Sequence, residues 1–157
     1  MDIFLMRHGE ASFDAPTDPQ RELTVLGQQQ SRAMAEHYFA DWQTVDLVLI
    51  SPYVRTDQTW QQIAAILPQP VPVQILEELV PEADPEYASD VVIATAQVLG
   101  ARRVLVVSHM PLLGYLLAEL VPGQIPAMFT TSAVAKITLD EAATLVERLA
   151  PHELLPV

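Results

Sequence analysis

The chain contains no cysteine. That excludes a disulfide framework, thiolate-bound zinc, iron–sulfur clusters and thiol catalysis. Lysine is nearly absent as well. Lys136 stands alone beside seven arginines, against twenty acidic residues, for a net charge of −12. This balance argues against a general nucleic-acid surface or an anionic-membrane surface. Any anion handled by this chain must be handled by a few arginines. Glycine is scarce, at five residues. No Gly-x-Gly-x-x-Gly follows the first apolar run and no Gly-Lys-Ser/Thr occurs, which sets aside dinucleotide and P-loop nucleotide binding. Long hydrophobic runs are also missing. The longest uncharged stretch, residues 58–76, carries Pro68, Pro70 and Pro72, so no membrane span is expected. Met1 leads to Asp2 and a short apolar run without a basic segment. No secretory leader is expected, and the cytoplasm is the expected location.

What is present fits a folded domain. Half of the 157 residues are hydrophobic and 18% are charged, enough to bury a substantial core. No repeat or linker-like composition interrupts residues 1–157, so a single compact domain is expected. Residues 2–6, 46–50 and 104–107 are short apolar runs of the kind that fills strands buried on both faces. A short strand is also expected near residues 73–75. Between them lie helical patterns. Thr24 can cap a helix reaching about Phe39, with Leu26, Ala33, Met34 and Tyr38 inward. Trp60, Ile63, Ala64 and Leu67 form one stripe; Tyr87, Val91, Ala94 and Val98 form another, ended by Gly100. Pro111 suits the first position of a helix carrying Leu113, Leu116, Leu117 and Leu120. Residues 133–139 and 144–149 alternate as an edge hairpin would. The tail from Pro151 is expected to be loose. The sum is an α/β fold: a three-layer α/β/α arrangement with a mostly parallel sheet and an edge hairpin near the C-terminus.

Three motifs close three of these strands. The first ends in Arg7-His8-Gly9-Glu10, the second in Ser51-Pro52-Tyr53-Val54-Arg55 with Thr59 one turn later, the third in Ser108-His109-Met110-Pro111. In open α/β sheets the carboxyl ends of the strands face the ligand crevice. His8, His109, Arg7 and Arg55 are therefore predicted to converge. Their chemistry suits phosphoryl transfer. An uncharged imidazole is a nucleophile near neutral pH. Guanidinium forks match the oxygens over which a transferring phosphoryl group spreads its charge. A protonated second histidine would neutralise a further oxygen, and the helix after Pro111 would aim its positive end there. No carboxylate cluster suited to magnesium accompanies these residues, so neither metal nor cofactor is expected. Activity is expected to fall in acid as His8 takes up a proton.

In these motifs the chain resembles the histidine phosphatase superfamily, the phosphoglycerate-mutase-like enzymes. Arg7-His8-Gly9-Glu10, Leu23-Thr24-x-x-Gly27, Ser51-Pro52-x-x-Arg55-x-x-x-Thr59 and Ser108-His109 match its signatures in order and spacing, across essentially the whole chain. The resemblance implies that His8 is the nucleophile and becomes phosphohistidine. It implies that Arg7, Arg55 and His109 bind and polarise the phosphoryl group. Arg21, in the loop before Leu23, is a candidate further phosphate ligand, with a surface salt bridge as the competing reading.

Relatives with a cap insertion use a carboxylic general acid. Only 53 residues separate Arg55 from His109, which leaves little room for a cap. Glu78 and Glu82 stand where the acid would be, in a segment whose fuller family pattern is not intact. An open site with a weak acid suits a phosphoramidate, because imidazole departs as a neutral group, whereas a sugar alkoxide needs a proton donor. Compactness and the segment Phe129-Thr130-Thr131-Ser132-Ala133 resemble the small bacterial protein phosphohistidine phosphatases. That resemblance implies a phosphorylated histidine-containing phosphotransfer domain or phosphocarrier as partner, within phosphorelay signalling. Two alternatives differ in class. One is a phosphatase for small phosphoesters, using Glu78 or Glu82. The other is a phosphate- or phosphoprotein-binding module without turnover, against which the intact nucleophile argues.

Overall fold

β1 (Asp2–Arg7), β2 (Leu47–Ile50), β3 (Val73–Ile75), β4 (Arg103–Ser108), β5 (Val134–Leu139) and β6 (Ala143–Leu149) form one sheet in the order β3-β2-β4-β1-β5-β6. This is a computed structural model, and it describes residues 1–154. β3, β2, β4 and β1 run parallel; β5 and β6 close the sheet as an antiparallel hairpin. Side chains alternate faces along a strand. Phe4, Met6, Val48, Ile50, Leu105 and Val107 therefore pack on one side, under α1 (Val25–His37), α2 (Phe39–Trp42) and α3 (Val54–Ala64). Ile3, Leu5, Leu47, Leu49, Val104 and Val106 pack on the other, under α4 (Pro85–Val98) and α5 (Leu112–Leu120). Both faces are dry, which is why the parallel strands are continuous apolar runs rather than alternating ones. The three-layer α/β/α arrangement with its edge hairpin is the one expected.

Two helices depart from the expected orientation, α1 at its start and α4 along its length. α1 keeps Met34 and the following Tyr38 inward as expected and also buries Gly27, Ser31 and Ala35, but Leu26 is 46% exposed and Ala33 only half-buried. The cause is close backbone approach: a Cβ on Gly27 would stand 2.1 Å from the Glu10 carbonyl oxygen. Only this residue can face the loop after β1, and its neighbour Leu26, about 100° around the helix, is turned outward. α4 buries Ala88, Val92 and Ala96 and leaves Tyr87 and Val98 outside. Its two apolar stripes are one residue apart. The stripe with small side chains wins because α5 fills the neighbouring space with leucines. Pro111 precedes α5 as its cap residue rather than opening it. The tail is docked through residue 154: Pro151–Glu153 form a short 3-10 turn, the Glu153 carboxylate accepts the Ala150 N–H, and Leu154 packs beside the cluster under α1. The rest of the expected loose tail, residues 155–157, lies outside the described residues.

Candidate active site

The sheet register sets the two histidines side by side. Arg7 pairs with Ser108 across β1 and β4, and the His8 N–H donates to the Ser108 carbonyl at 3.0 Å. The imidazole rings of His8 and His109 lie 5.0 Å apart between centroids. Arg55, in the first turn of α3 beyond β2, donates from Nε to His8 Nε2 at 3.2 Å. Arg7 donates from Nη1 to the Phe129 carbonyl at 2.8 Å. Tyr53 sits beneath this group, its ring 4.9 Å from the His109 ring and 4.9 Å from the Arg55 guanidinium. The structure thus brings together all four residues expected at the strand ends.

His8 is oriented by its own backbone neighbour. Its Nδ1 lies 2.7 Å from the Gly9 carbonyl oxygen. A carbonyl can only accept, so Nδ1 carries the proton and Nε2 presents a lone pair. Burial pushes the His8 pKa down to about 3, with Arg55, Arg7 and Arg21 adding to the effect and the Gly9 carbonyl opposing it. Burial and the same cationic neighbourhood, with His8, push His109 down to about 2. Without an anion the second histidine is therefore held neutral, because a buried ring among guanidinium groups disfavours a further positive charge. The expected acid loss of activity moves from the ordinary imidazole range toward pH 3 for the same reason.

The loop between β1 and α1 supplies Arg21 and a residue that the sequence did not single out, Asp18. Arg55 Nη2 pairs with the Asp18 carboxylate at 3.2 Å, and Arg55 Nη1 donates to the Asp18 carbonyl at 2.8 Å. Arg21 Nη1 pairs with the same carboxylate at 3.0 Å. Burial raises the Asp18 pKa, but hydrogen bonds and charge from Arg21 and Arg55 outweigh it and hold the group below its ordinary value. Arg21 also donates to the carbonyls of Ser12 and Ala11, and its guanidinium stacks 4.0 Å from the Phe13 ring. The salt-bridge reading of Arg21 is the one the geometry displays. The Arg21 charge also acts on Arg7, His8, Arg55 and His109.

The supporting contacts explain the motif residues. The Thr59 hydroxyl donates to the Arg55 carbonyl at 2.8 Å and accepts the Gly9 N–H at 2.9 Å, so it ties α3 to the His8 loop. A Cβ on Gly9 would meet Ser31 Oγ at 2.7 Å. Thr24 caps α1 by accepting the Gly27 N–H. Ser132 lies in the left-handed region at φ 63°. Its N–H reaches the carbonyls of Arg7 and His8 at 3.1 Å, and its hydroxyl meets Ser31. A serine in that conformation costs backbone energy, about 1 kcal/mol or more. The contacts at the His8 carbonyl are what hold it there. On the far side, Ser108 Oγ donates to the Leu79 carbonyl at 2.7 Å and anchors the turn carrying Glu78. Among the described residues, neither Glu78 nor Glu82 bonds to His8, His109 or a site arginine, and no three His, Asp or Glu side chains group as a metal site.

Residues 3–81 match the model of the histidine phosphatase superfamily, branch 1. The chain is 44% identical over 142 residues to the phosphohistidine phosphatase SixA of Escherichia coli K12, covering 90% of this chain and 88% of that one. It is 33% identical over 147 residues to a SixA homolog of Haemophilus influenzae, covering 89% of each. A solved structure of the protein histidine phosphatase SixA complexed with tungstate superposes with a TM-score of 0.89 at 42% identity, over 97% of this chain and 98% of that one. The chain belongs to the histidine phosphatase superfamily.

Proposed function

We propose that this chain is a protein phosphohistidine phosphatase in which His8 is the nucleophile. The observation that carries this reading is a His8 whose Nε2 lone pair is presented beside Arg55, in a crevice where neither Glu78 nor Glu82, the candidate acids, is bonded to the cluster. In the first step, the substrate's P–N bond breaks as a bond forms between phosphorus and His8 Nε2. The departing imidazole, protonated at its other nitrogen, leaves as a neutral group and needs no external acid. In the second step, water attacks phosphorus and the bond to His8 Nε2 breaks. His8 leaves as easily as the substrate did, because the Gly9 carbonyl keeps its Nδ1 proton in place. A proton of the water goes to phosphate or solvent. Arg7, Arg55 and, from the loop, Arg21 bind the phosphoryl oxygens.

Residues 1–157 act as one domain without a cap insertion. The single sheet supports this, as does the short connection from α3 to α4, which holds only β3 and one 3-10 turn. An uncapped crevice admits a side chain on a folded protein. The proposed partner is a phosphorylated histidine-containing phosphotransfer domain or phosphocarrier, and the proposed setting is phosphorelay signalling in the cytoplasm. The relatives' naming as phosphohistidine phosphatases supports the substrate class. No helix among the described residues is long and apolar enough to cross a membrane.

The test is an intermediate trap with panels of phosphohistidine proteins and small phosphoesters. Wild type quenched during turnover should carry phosphate that is labile in acid and stable in alkali, and His8→Ala should carry none and lose turnover at least a thousandfold (roughly the effect of removing a covalent nucleophile). Full activity of His8→Ala would overturn the reading. Preferential turnover of small phosphoesters that collapses in Glu78→Gln or Glu82→Gln would replace it with the phosphoester alternative.

A further inference from the structure

His109 leaves one atom unexplained. The residue is 1% exposed, and its Nδ1 is buried with no hydrogen-bond partner. Buried polar atoms without partners are rare and call for a reason. Its other nitrogen, Nε2, lies 2.7 Å from Ser51 Oγ. Which nitrogen holds the proton is settled by following the hydroxyl hydrogens outward from the ring.

Ser51 Oγ is 3.0 Å from Thr56 Oγ1. Thr56 Oγ1 in turn lies 3.0 Å from the Ser51 carbonyl and 2.9 Å from the Tyr53 carbonyl. Carbonyls only accept, so the single Thr56 hydrogen is committed to them. The hydrogen between the two hydroxyls must then come from Ser51. Ser51 Oγ also receives the Tyr53 N–H at 3.2 Å. With its own hydrogen spent on Thr56, it can only accept from the imidazole. The order runs one way: His109 Nε2–H to Ser51, Ser51 to Thr56, Thr56 to backbone carbonyl. His8 is the opposite case, with its proton on Nδ1.

We propose that Ser51 and Thr56 are positioning residues that hold His109 in its Nε2–H form, so that Nδ1 acts as a proton acceptor and a dianionic phosphoryl group or oxyanion binds in this crevice together with one proton shared at Nδ1. The inference rests on the crevice being a phosphoryl site, as proposed above. It gives the orphaned nitrogen a partner, the proton that arrives with the anion. The groups acting on the ring are His8 from the end of β1, Arg55 from α3, Arg7 and Arg21, with the Tyr53 ring edge-on. Burial among these cations keeps the free ring neutral, with its pKa down to about 2. An anion reverses that balance by adding negative charge beside it.

Nitrogen-15 NMR of the labelled histidines reads the arrangement directly, with tungstate as the proton-free dianionic probe at mildly alkaline pH. In free wild-type protein His109 Nδ1 should show the lone-pair resonance type and Nε2 the protonated type. Tungstate should move Nδ1 to the protonated type. Because one proton binds with the anion, tungstate affinity should fall about tenfold per pH unit as pH rises. Thr56→Val frees the Ser51 hydrogen to donate to Nε2. That variant should shift His109 toward the Nδ1–H form and flatten the pH dependence, and Thr56→Ser should restore both. A protonated Nδ1 in the free wild type overturns the inference, as does tungstate binding that ignores pH or fails altogether. If turnover proceeds through His8 while Nδ1 is already protonated, this inference fails alone. If the resonances and the pH dependence are as stated while His8→Ala stays active, the proposed reaction fails alone.

Discussion

The strand-end side of the crevice and its loop side are built differently. His8, Arg55, His109, Ser51, Thr56, Thr59 and Ser108 are all buried, each tied to a neighbouring strand or helix by a named hydrogen bond. Asp18, Phe13, Glu10 and Glu82 lie on loops, exposed to water. Arg21 bridges the two, half-buried, with its charge felt by the strand-end groups. The groups proposed to react thus sit where sheet and helix fix their geometry, and the side proposed to meet a partner is made of loop residues. The fixed side is costly in one respect. It holds two imidazoles that burial keeps neutral in the free protein.

That cost gives the largest test of the contrast. Both histidines have pKa values below the unfolded 6.5, at about 3 and about 2. The unfolded chain therefore binds protons that the folded one refuses. Stability is fully present above pH 6.5 and falls as pH drops below it. At pH 5 each histidine should contribute roughly 2 kcal/mol of destabilisation. Urea unfolding at pH 7 and pH 5 measures it, and His109→Gln should remove about half of the difference. Equal stability at the two pH values would show that the buried imidazoles do not behave as described.

Arg55→Lys tests the fixed side next. A lysine keeps the charge but has one nitrogen where Arg55 uses three, on His8 and on both the carbonyl and the carboxylate of Asp18. Turnover should fall about a hundredfold, while the Tm stays near wild type. Asp18→Asn probes the hinge between the two sides. In the proposed reaction the Asp18 carboxylate competes with a phosphoryl group for the Arg55 guanidinium. Removing its charge should tighten binding of inorganic phosphate about fivefold, on the order of 1 kcal/mol for a partly exposed pair. Weaker phosphate binding in this variant would mean that the carboxylate orients Arg55 rather than competing for it.

The fixed side was largely legible in the sequence, because strand ends in a parallel sheet must face one crevice, and His8, Arg55 and His109 each follow an apolar run. The faces of α3 and α5 were legible too, with Trp60, Ile63, Leu113, Leu116, Leu117 and Leu120 buried as expected, whereas those of α4 and the start of α1 were not. The apolar positions around 26–27 and 87–88 allow two rotations of similar hydropathy. The choice is made by contacts across the fold, Gly27 on the Glu10 backbone and small alanines under the leucines of α5. Asp18 carried no pattern at all, sitting between Thr17 and Pro19 in a loop; only its turn toward Arg55 gives it a role. The neutral state of His109 depends on burial among charges brought from distant segments, which no local spacing encodes. Ser51 and Thr56 stood in or beside a recognised motif, yet their hydrogen-bond direction needed coordinates.

The glutamates give the smallest expected effect and the sharpest test of the substrate. Glu78 belongs to the turn anchored by Ser108 on the Leu79 carbonyl, close to the β4 end, and Glu82 lies four residues further along. Neither side chain is bonded to the reacting cluster. For an imidazole leaving group, Glu78→Gln and Glu82→Gln should change turnover by less than about twofold, since no proton needs to be delivered. For an alkoxide leaving group the same substitution at the acid would cost on the order of a hundredfold or more. Measuring both variants on a phosphohistidine protein and on a sugar phosphate therefore separates the two chemistries. A large loss on the phosphohistidine protein would place an acid on the loop side, and reaction chemistry would no longer be confined to the strand ends.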